Sequence, residues 1–370
     1  MASTKETIIK LLESADIKIN GNRSWDIKVY DERLYKRALA EGNLGFAEAY
    51  MDGWWDCKQI DVMICKLLSA NLEKKVVPWK IILGVLKARL INMQDKNKSK
   101  VVAEQHYDLG NDFYKDMLDK RMQYTCGYWK DTKTLDQAQE AKLDLVCKKL
   151  QLKKGDRVLE LGCGWGWFAK YASEKYGCHV TAYNISDEQV KYARAICKGL
   201  PVEIVRDDYR EAKGAYDKIV SVGMCEHVGY KNYKTFMKLA NKCLKDHGLF
   251  LIHTIAGNTS VKNTDRWIAK YIFPNSMLPS AKQLSSAFEG LFVLEDWHSF
   301  GAYYDLTLMA WFANFEKNWK KHSNKYGKRF YRMWTYYLLS CAGSFRARKN
   351  QLWQIVLSKN GVEGVYKAIR

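Results

Sequence analysis

The chain has 370 residues, and 60 Lys plus Arg against 41 Asp plus Glu give it a formal net charge of +19. A hydrophobic fraction of 47% excludes a disordered chain, while 27% charged residues argue against an integral membrane protein. Apolar runs such as Ile81–Leu86 and Leu308–Ala313 fall far below the roughly 18 residues a spanning helix needs. The ten cysteines include no Cys-x-x-Cys pair, so no zinc motif, no other metal site and no disulfide scaffold is expected, and a reducing cytoplasm is the simplest compartment. Lys5, Glu6, Lys10 and Glu13 interrupt the N-terminal region, which does not read as a signal peptide.

Residues 1–93 read as a small, mostly helical domain. Ser3-x-x-Glu6 is a capping box, followed by Ile8, Leu11, Leu12 and Ala15 at helical spacing. Gly45 to Trp55 sets large aromatics beside glycines, as at a core corner. Trp79, Ile81, Ile82, Val85, Leu86, Leu90 and Ile91 form an apolar stripe accompanied by Lys80, Lys87 and Arg89, a basic amphipathic helix able to dock on another domain or on a membrane. Residues 94–101 are polar and read as a linker. The remainder, 102–370, alternates strands and helices. Strands are expected at 156–161, 179–183, 202–205, 218–222 and 249–254, with helices at 167–176 and 186–197. That alternation predicts an α/β fold with a doubly wound sheet.

Charge is concentrated in two places. Lys74 to Lys100 holds eight basic residues and one acid, and Glu316 to Arg370 holds thirteen basic residues and two acids. Such surfaces attract anionic lipid or nucleic acid, or merely solvate a face. Amino-methylating DNA enzymes usually carry an Asn/Asp-Pro-Pro-Tyr type tetrapeptide. None of the four prolines (Pro78, Pro201, Pro274, Pro279) sits in one, and no Pro-Cys nucleophile is present. A nucleic-acid enzyme therefore has charge but no catalytic motif, and no nucleic-acid partner is expected.

The first strand of the sheet runs into Gly162-Cys163-Gly164-Trp165-Gly166, at the ligand side of such a sheet. The string Val158 to Gly166 resembles motif I of class I (Rossmann-like) S-adenosylmethionine methyltransferases. Cofactor-binding residues are then Glu160, Gly162, Gly164 and Gly166, with Tyr124 and Thr125 reaching over from the preceding segment. The acid that ends the second strand in many of these enzymes is absent; Asn184, with Gln189, is placed to bond the ribose hydroxyls as a neutral amide. Asp208 and Tyr209 follow the third strand and are placed for adenine, the carboxylate for the amino group and the ring for stacking.

Longer strings narrow the family. Tyr50 to Trp55, His106 to Asp112, Met122 to Trp129, Gly223 to Gly229, Tyr271 to Pro274, Ala310-Trp311 and Cys341 to Arg348 occur in order, and the chain closely resembles the bacterial cyclopropane-fatty-acyl-phospholipid synthases over nearly its whole length. The resemblance implies methylene transfer from S-adenosylmethionine to a cis double bond of a phospholipid acyl chain, an N-terminal lipid-binding domain, a homodimer, and work at the inner face of the cytoplasmic membrane on an anionic phospholipid surface. An alkene that attacks a sulfonium methyl leaves a carbocation, and a base must then take a proton before the ring closes. Aromatic faces among the 13 Trp and 23 Tyr can stabilise such a cation. The family's base is a bound bicarbonate, and the residues that resemble its site are Cys126, Glu226, His253, Ile255 through its backbone, and Tyr304. The residues alone leave alternatives: Cys126 as a small core hydrophobe, His253 as a satisfied core histidine, and His227 as the partner in place of His253. Cys341 is a further catalytic candidate, although no step needs a thiolate. Arg346 and Arg348 face phosphate headgroups or solvent. Methylation of an acyl chain or amine without ring closure is the sister activity, and a basic nucleic-acid-binding protein on a methyltransferase fold is the alternative from another class.

Overall fold

The computed structural model describes residues 4–71 and 109–370. The stripe from Trp79 to Ile91, the polar run 94–101, and the first residues of the His106 string lie outside them. The chain divides into two compact units, one made of Met1–Ile91, Lys262–Pro274 and Tyr304–Asn350, the other of Asn92–Val261, Asn275–Tyr303 and Gln351–Arg370. Two later segments thus group with the N-terminal residues, beyond the single division drawn from the sequence.

The first unit is largely helical: α1 (Thr4–Glu13), α2 (Arg33–Glu41), α3 (Asn43–Met51) and α4 (Ile60–Ser69), with α11 (Arg266–Tyr271) and α13 (Ala302–Arg346) from the later segments. A two-stranded antiparallel ribbon, β1 (Lys28–Val29) and β2 (Trp55–Asp56), joins them. The aromatic–glycine stretch packs as a core corner. Trp55 is fully buried, stacks on Phe46 at 4.3 Å between ring centroids, and donates its indole N–H to the Phe46 carbonyl at 2.8 Å. At Gly343 of α13 a Cβ would lie 2.4 Å from the Asp61 carbonyl oxygen, so only glycine allows α13 and α4 to approach this closely. Gly327, at φ +73°, interrupts α13.

The second unit is built on a seven-stranded sheet in the order β5-β4-β3-β6-β7-β9-β8. Its strands are β3 (Arg157–Leu161), β4 (His179–Asn184), β5 (Val202–Arg206), β6 (Tyr216–Val222), β7 (Leu244–Gly257), β8 (Val293–Ser299) and β9 (Asn350–Ser358). The first five are parallel, and β8 pairs antiparallel with β9. Side chains alternate across the sheet, and both faces are apolar. Val158, Val180, Ile204, Val220, Leu249 and Leu251 pack with α6 (Leu135–Lys149), α7 (Trp167–Tyr176) and α8 (Asp187–Ile196). Leu159, Leu161, Ile219, Phe250 and Ile252 pack with α10 (Tyr233–Cys243) and α12 (Ala281–Phe288). Each fully buried Val, Leu, Ile or Phe contributes about 1.5–3 kcal/mol, so two such layers hold the sheet. α5 (Asn111–Met117) precedes α6, and the short α9 (Cys225–Val228) follows β6. Thr134 and Ser280 head α6 and α12 with complete capping boxes. Strand order reverses around β3, and such reversals open a ligand crevice beyond the strands' carboxyl ends. Among the described residues no helix is long and apolar enough to cross a membrane, and no group of His, Cys, Asp and Glu could hold a metal ion.

Candidate active site

Three glycines carry β3 into α7, all at positive φ: Gly162 at +87°, Gly164 at +51° and Gly166 at +81°. Their surroundings differ. A Cβ on Gly162 would lie 2.9 Å from Met224 Cγ, and one on Gly166 would lie 2.7 Å from Ala193 Cβ of α8. A Cβ on Gly164 would meet nothing within 4 Å. The outer two glycines therefore allow close packing, and the middle one keeps open the space a ligand can use. Asn184 braces this loop. Its Nδ2 donates to the Gly164 carbonyl at 2.9 Å and to Gln189 Oε1 at 3.0 Å, and its Oδ1 accepts from the Ser186 N–H at 3.0 Å.

Both amide protons of Asn184 are thus engaged within the protein, and its oxygen is the atom left to meet a ribose hydroxyl. Asp208 is also engaged within the protein. Its carboxylate, expected to meet an adenine amino group, is held by Arg210 through Nε at 2.8 Å and Nη2 at 2.9 Å, and also caps the Arg210 N–H at 2.9 Å. The short turn Tyr209–Glu211 brings residues two apart into this fork. The Tyr209 ring stands edge-on to Phe236 at 5.7 Å. Glu160 is buried beneath the loop. The Ala169 N–H at the start of α7 bonds to it, its Oε2 has no partner, and burial pushes its carboxyl up to about 8. Tyr124 packs on Tyr114 at 5.4 Å, and Tyr114 packs on Trp165 of the glycine loop at 5.2 Å.

β6 ends at Val222, whose register partner on β7 is His253. Gly223 then turns the chain into α9, which carries Glu226. Glu226 Oε1 accepts the Ile255 N–H at 2.7 Å, while its Oε2 is buried without a partner. Ile255 thus offers its backbone donor to Glu226. Burial pushes the Glu226 carboxyl up to about 7. His253 is fully buried and held neutral: burial first, then the nearby Lys142 and Lys149 charges, push its pKa well below the ordinary value. Gln354 Nε2 lies 3.3 Å from His253 Nδ1. With that amide donating, the imidazole proton sits on Nε2, which has no partner. Two buried polar atoms, Glu226 Oε2 and His253 Nε2, are thus left for a ligand that one can accept from and the other donate to. Phe300 stands edge-on to His253 at 6.0 Å and to Tyr128 at 5.3 Å. Cys126 is fully buried, with Sγ 3.2 Å from the Gly127 carbonyl.

The remaining candidates are His227, Tyr304, Cys341 and Arg346. His227, beside Glu226, is pushed down to about 4 by burial and stays neutral at pH 7. Tyr304 and Cys341 belong to the first unit. Tyr304 packs there on Phe345 at 4.6 Å and edge-on to Trp311 at 5.9 Å. Burial pushes the Cys341 thiol up to about 12, which disfavours the thiolate a nucleophile needs. Arg346 is paired with Asp305 and Asp61 within the same unit. Sequence reasoning missed Gln354, which meets His253. The signal available was a polar residue inside an otherwise apolar strand or helix face.

The family model described as "Mycolic acid cyclopropane synthetase" matches residues 94–355. The chain belongs to this family. Across its members, the cyclopropane-fatty-acyl-phospholipid synthase of Escherichia coli (strain K12) is 49% identical over 362 residues, covering 98% of this chain and 94% of that protein. Sphingolipid C9-methyltransferase A of Emericella nidulans is 35% identical over 294 residues, 75% of this chain and 56% of that protein. The solved structure of mycolic acid cyclopropane synthase CmaA1 complexed with SAH and CTAB matches with a TM-score of 0.66 and 29% identity, covering 70% of this chain and 98% of that one. This member of the cyclopropane synthetase family is an S-adenosylmethionine-dependent methyltransferase. The open face of Gly164 and the unpartnered Glu160 Oε2 fit such a cofactor.

Proposed function

We propose that the protein transfers a methylene group from S-adenosylmethionine to the cis double bond of an unsaturated phospholipid acyl chain and closes a cyclopropane ring. The near-full-length likeness to the Escherichia coli synthase supports this substrate. The observation that carries the mechanism is the pair of buried, unpartnered atoms, Glu226 Oε2 and His253 Nε2, on the loops and strands at the ligand side of the sheet. S-adenosylmethionine, when bound, supplies the carbon as a sulfonium methyl, and bicarbonate, when bound, supplies the base for the proton that leaves before the ring closes. The chain's part is positioning. The glycine loop, braced by Asn184, admits the cofactor at Gly164. Glu226 Oε2 would accept a hydrogen bond from the ion's hydroxyl and His253 Nε2 would donate one to it, while Ile255 fixes the Glu226 carboxylate through Oε1. Gln354 keeps the imidazole proton on Nε2. Cys126 closes the site, and Phe300 and Tyr128 exclude water and offer aromatic surface to positive charge on the acyl chain. Tyr304 as a further donor stays an expectation of the family resemblance, as does a homodimer.

The test is removal of bicarbonate. Activity on unsaturated vesicles should fall in bicarbonate-free buffer and return when the ion is added back. Full activity in its rigorous absence would make Glu226 or His253 the direct base. Methylation without ring closure is the second reading, favoured by the likeness to the sphingolipid methyltransferase. It predicts a methylated product whose double bond persists. The net charge of +19 supports peripheral attachment to an anionic phospholipid surface at the cytoplasmic face of the membrane.

A further inference from the structure

Helix α6 buries two polar side chains one turn apart, Gln139 and Lys142, both with no exposed surface. They hold the same short strip, Lys142 by its side chains and Gln139 by its backbone. Lys142 Nζ donates to Gln123 Oε1 at 2.7 Å and to Thr125 Oγ1 at 2.8 Å. Gln139 Nε2 donates to the Thr125 carbonyl at 2.7 Å and to the Gln123 carbonyl at 3.3 Å. The strip leads directly into Cys126. From below, Asp119 accepts the N–H of Arg121 at 2.9 Å and that of Gln123 at 2.8 Å. The lysine has no carboxylate within ion-pair distance among the described residues, and Asp119, Glu160 and Cys126 act on it only through the field. Burial lowers its pKa to about 8. A buried ammonium without a direct counter-ion is expensive, and a residue serving only to fill α6's core would be better as Met or Leu.

The strip reaches further than its own hydrogen bonds. Thr125 Cγ2 presses on Gly223, where an added Cβ would lie 2.6 Å away. The Gly223 N–H donates to the His253 carbonyl at 2.8 Å, and three residues later comes Glu226. One side chain therefore ties together the segment carrying Tyr124, Thr125 and Cys126 and the turn that presents Glu226 beside His253.

We propose that Lys142 is a positioning residue for methyl transfer, its ammonium holding Gln123 and Thr125 so that the strip through Cys126 keeps its shape against the Gly223 turn. This rests on the reading of that site as the place of reaction. Full-length Lys142→Met, of similar length but without donors, tests it by calorimetry with S-adenosylhomocysteine and by steady-state kinetics. Cofactor-product affinity should fall about fivefold, as for loss of a strong hydrogen bond, and kcat by about tenfold to a hundredfold, as for a small misplacement of reacting groups, with KM for lipid unchanged. A merely structural lysine would lower Tm and leave both the Kd and the kcat of the folded variant at the parental values, and that result overturns the proposal. Should Lys142→Met fail to fold, Gln123→Met removes one acceptor of the same ammonium. It should lower kcat by about threefold in the same direction, and unchanged kcat and Kd there overturn the proposal as well. Where both variants fold, the double variant should lose no more than Lys142→Met alone, whereas effects that multiply would mean the two act independently and would overturn the coupling. Calorimetry needs neither lipid nor bicarbonate, so failure of the bound-ion reading leaves this result standing, and the reverse also holds.

Discussion

Glu226 combines a bonded oxygen with an unbonded one, and its titration follows from that. Burial raises its carboxyl from the ordinary 4.5 to about 7. An acid whose pKa rises on folding favours the folded state at low pH. That contribution is complete below the unfolded value near 4.5 and is lost as the pH rises through about 7. On the proposed mechanism chemistry runs the other way, because only the ionised carboxylate would accept a hydrogen bond from the ion's hydroxyl. Parental activity should therefore fall as the pH drops below about 7. Glu226→Gln should lose about 10²–10⁴-fold in activity. It should nevertheless melt at or above the parental temperature at pH 8, because the buried charge is gone. Rate profiles and melts at pH 5 and 8 measure both effects, and a fully active Glu226→Gln would remove this cluster from the mechanism. Candidates such as Gly162, Asn184 and Glu226 were legible as residue types at or just past the ends of strands. What they touch was not. Asn184 and Asp208 read as ligand-facing in the sequence, but the brace that one gives the glycine loop and the fork of Arg210 on the other were not legible, since hydrogen-bond allocation within a turn depends on neighbours that spacing does not reveal.

At the scale of elements, the glycine loop separates packing from binding. Gly166→Ala places a methyl 2.7 Å from Ala193 Cβ at φ +81°, so α7 and α8 must part. It should cost about 1–3 kcal/mol in thermal or denaturant unfolding. Gly164→Ala meets nothing within 4 Å and should cost only the roughly 1–2 kcal/mol of a left-handed backbone, while cofactor affinity by calorimetry drops. Unchanged affinity in Gly164→Ala would move the cofactor away from this loop. The five parallel strands were legible because each is a short apolar run bounded by turns and followed by helical periodicity. β8 and β9 were not. β9 is buried along almost its whole length, but it lies in a stretch whose thirteen basic residues dominate its composition. In the first unit, α11 and α13 join the N-terminal helices through long-range packing, which no local pattern announces.

At the scale of the whole molecule, a net charge of +19 should make attachment to anionic vesicles weaken as salt rises, since exposed charges are screened over about 10 Å at about 0.1 M. Co-sedimentation with anionic and neutral vesicles checks this, and equal binding to both would contradict a charge-driven surface. The central claim is the reaction itself. Its most direct measurement is the mass spectrum of an unsaturated phospholipid after incubation with the protein, S-adenosylmethionine and bicarbonate. The account predicts a gain of one CH2 per reacted double bond, with loss of alkene reactivity at that position. A lipid left unchanged, or one that gains carbon while keeping its double bond, would contradict it.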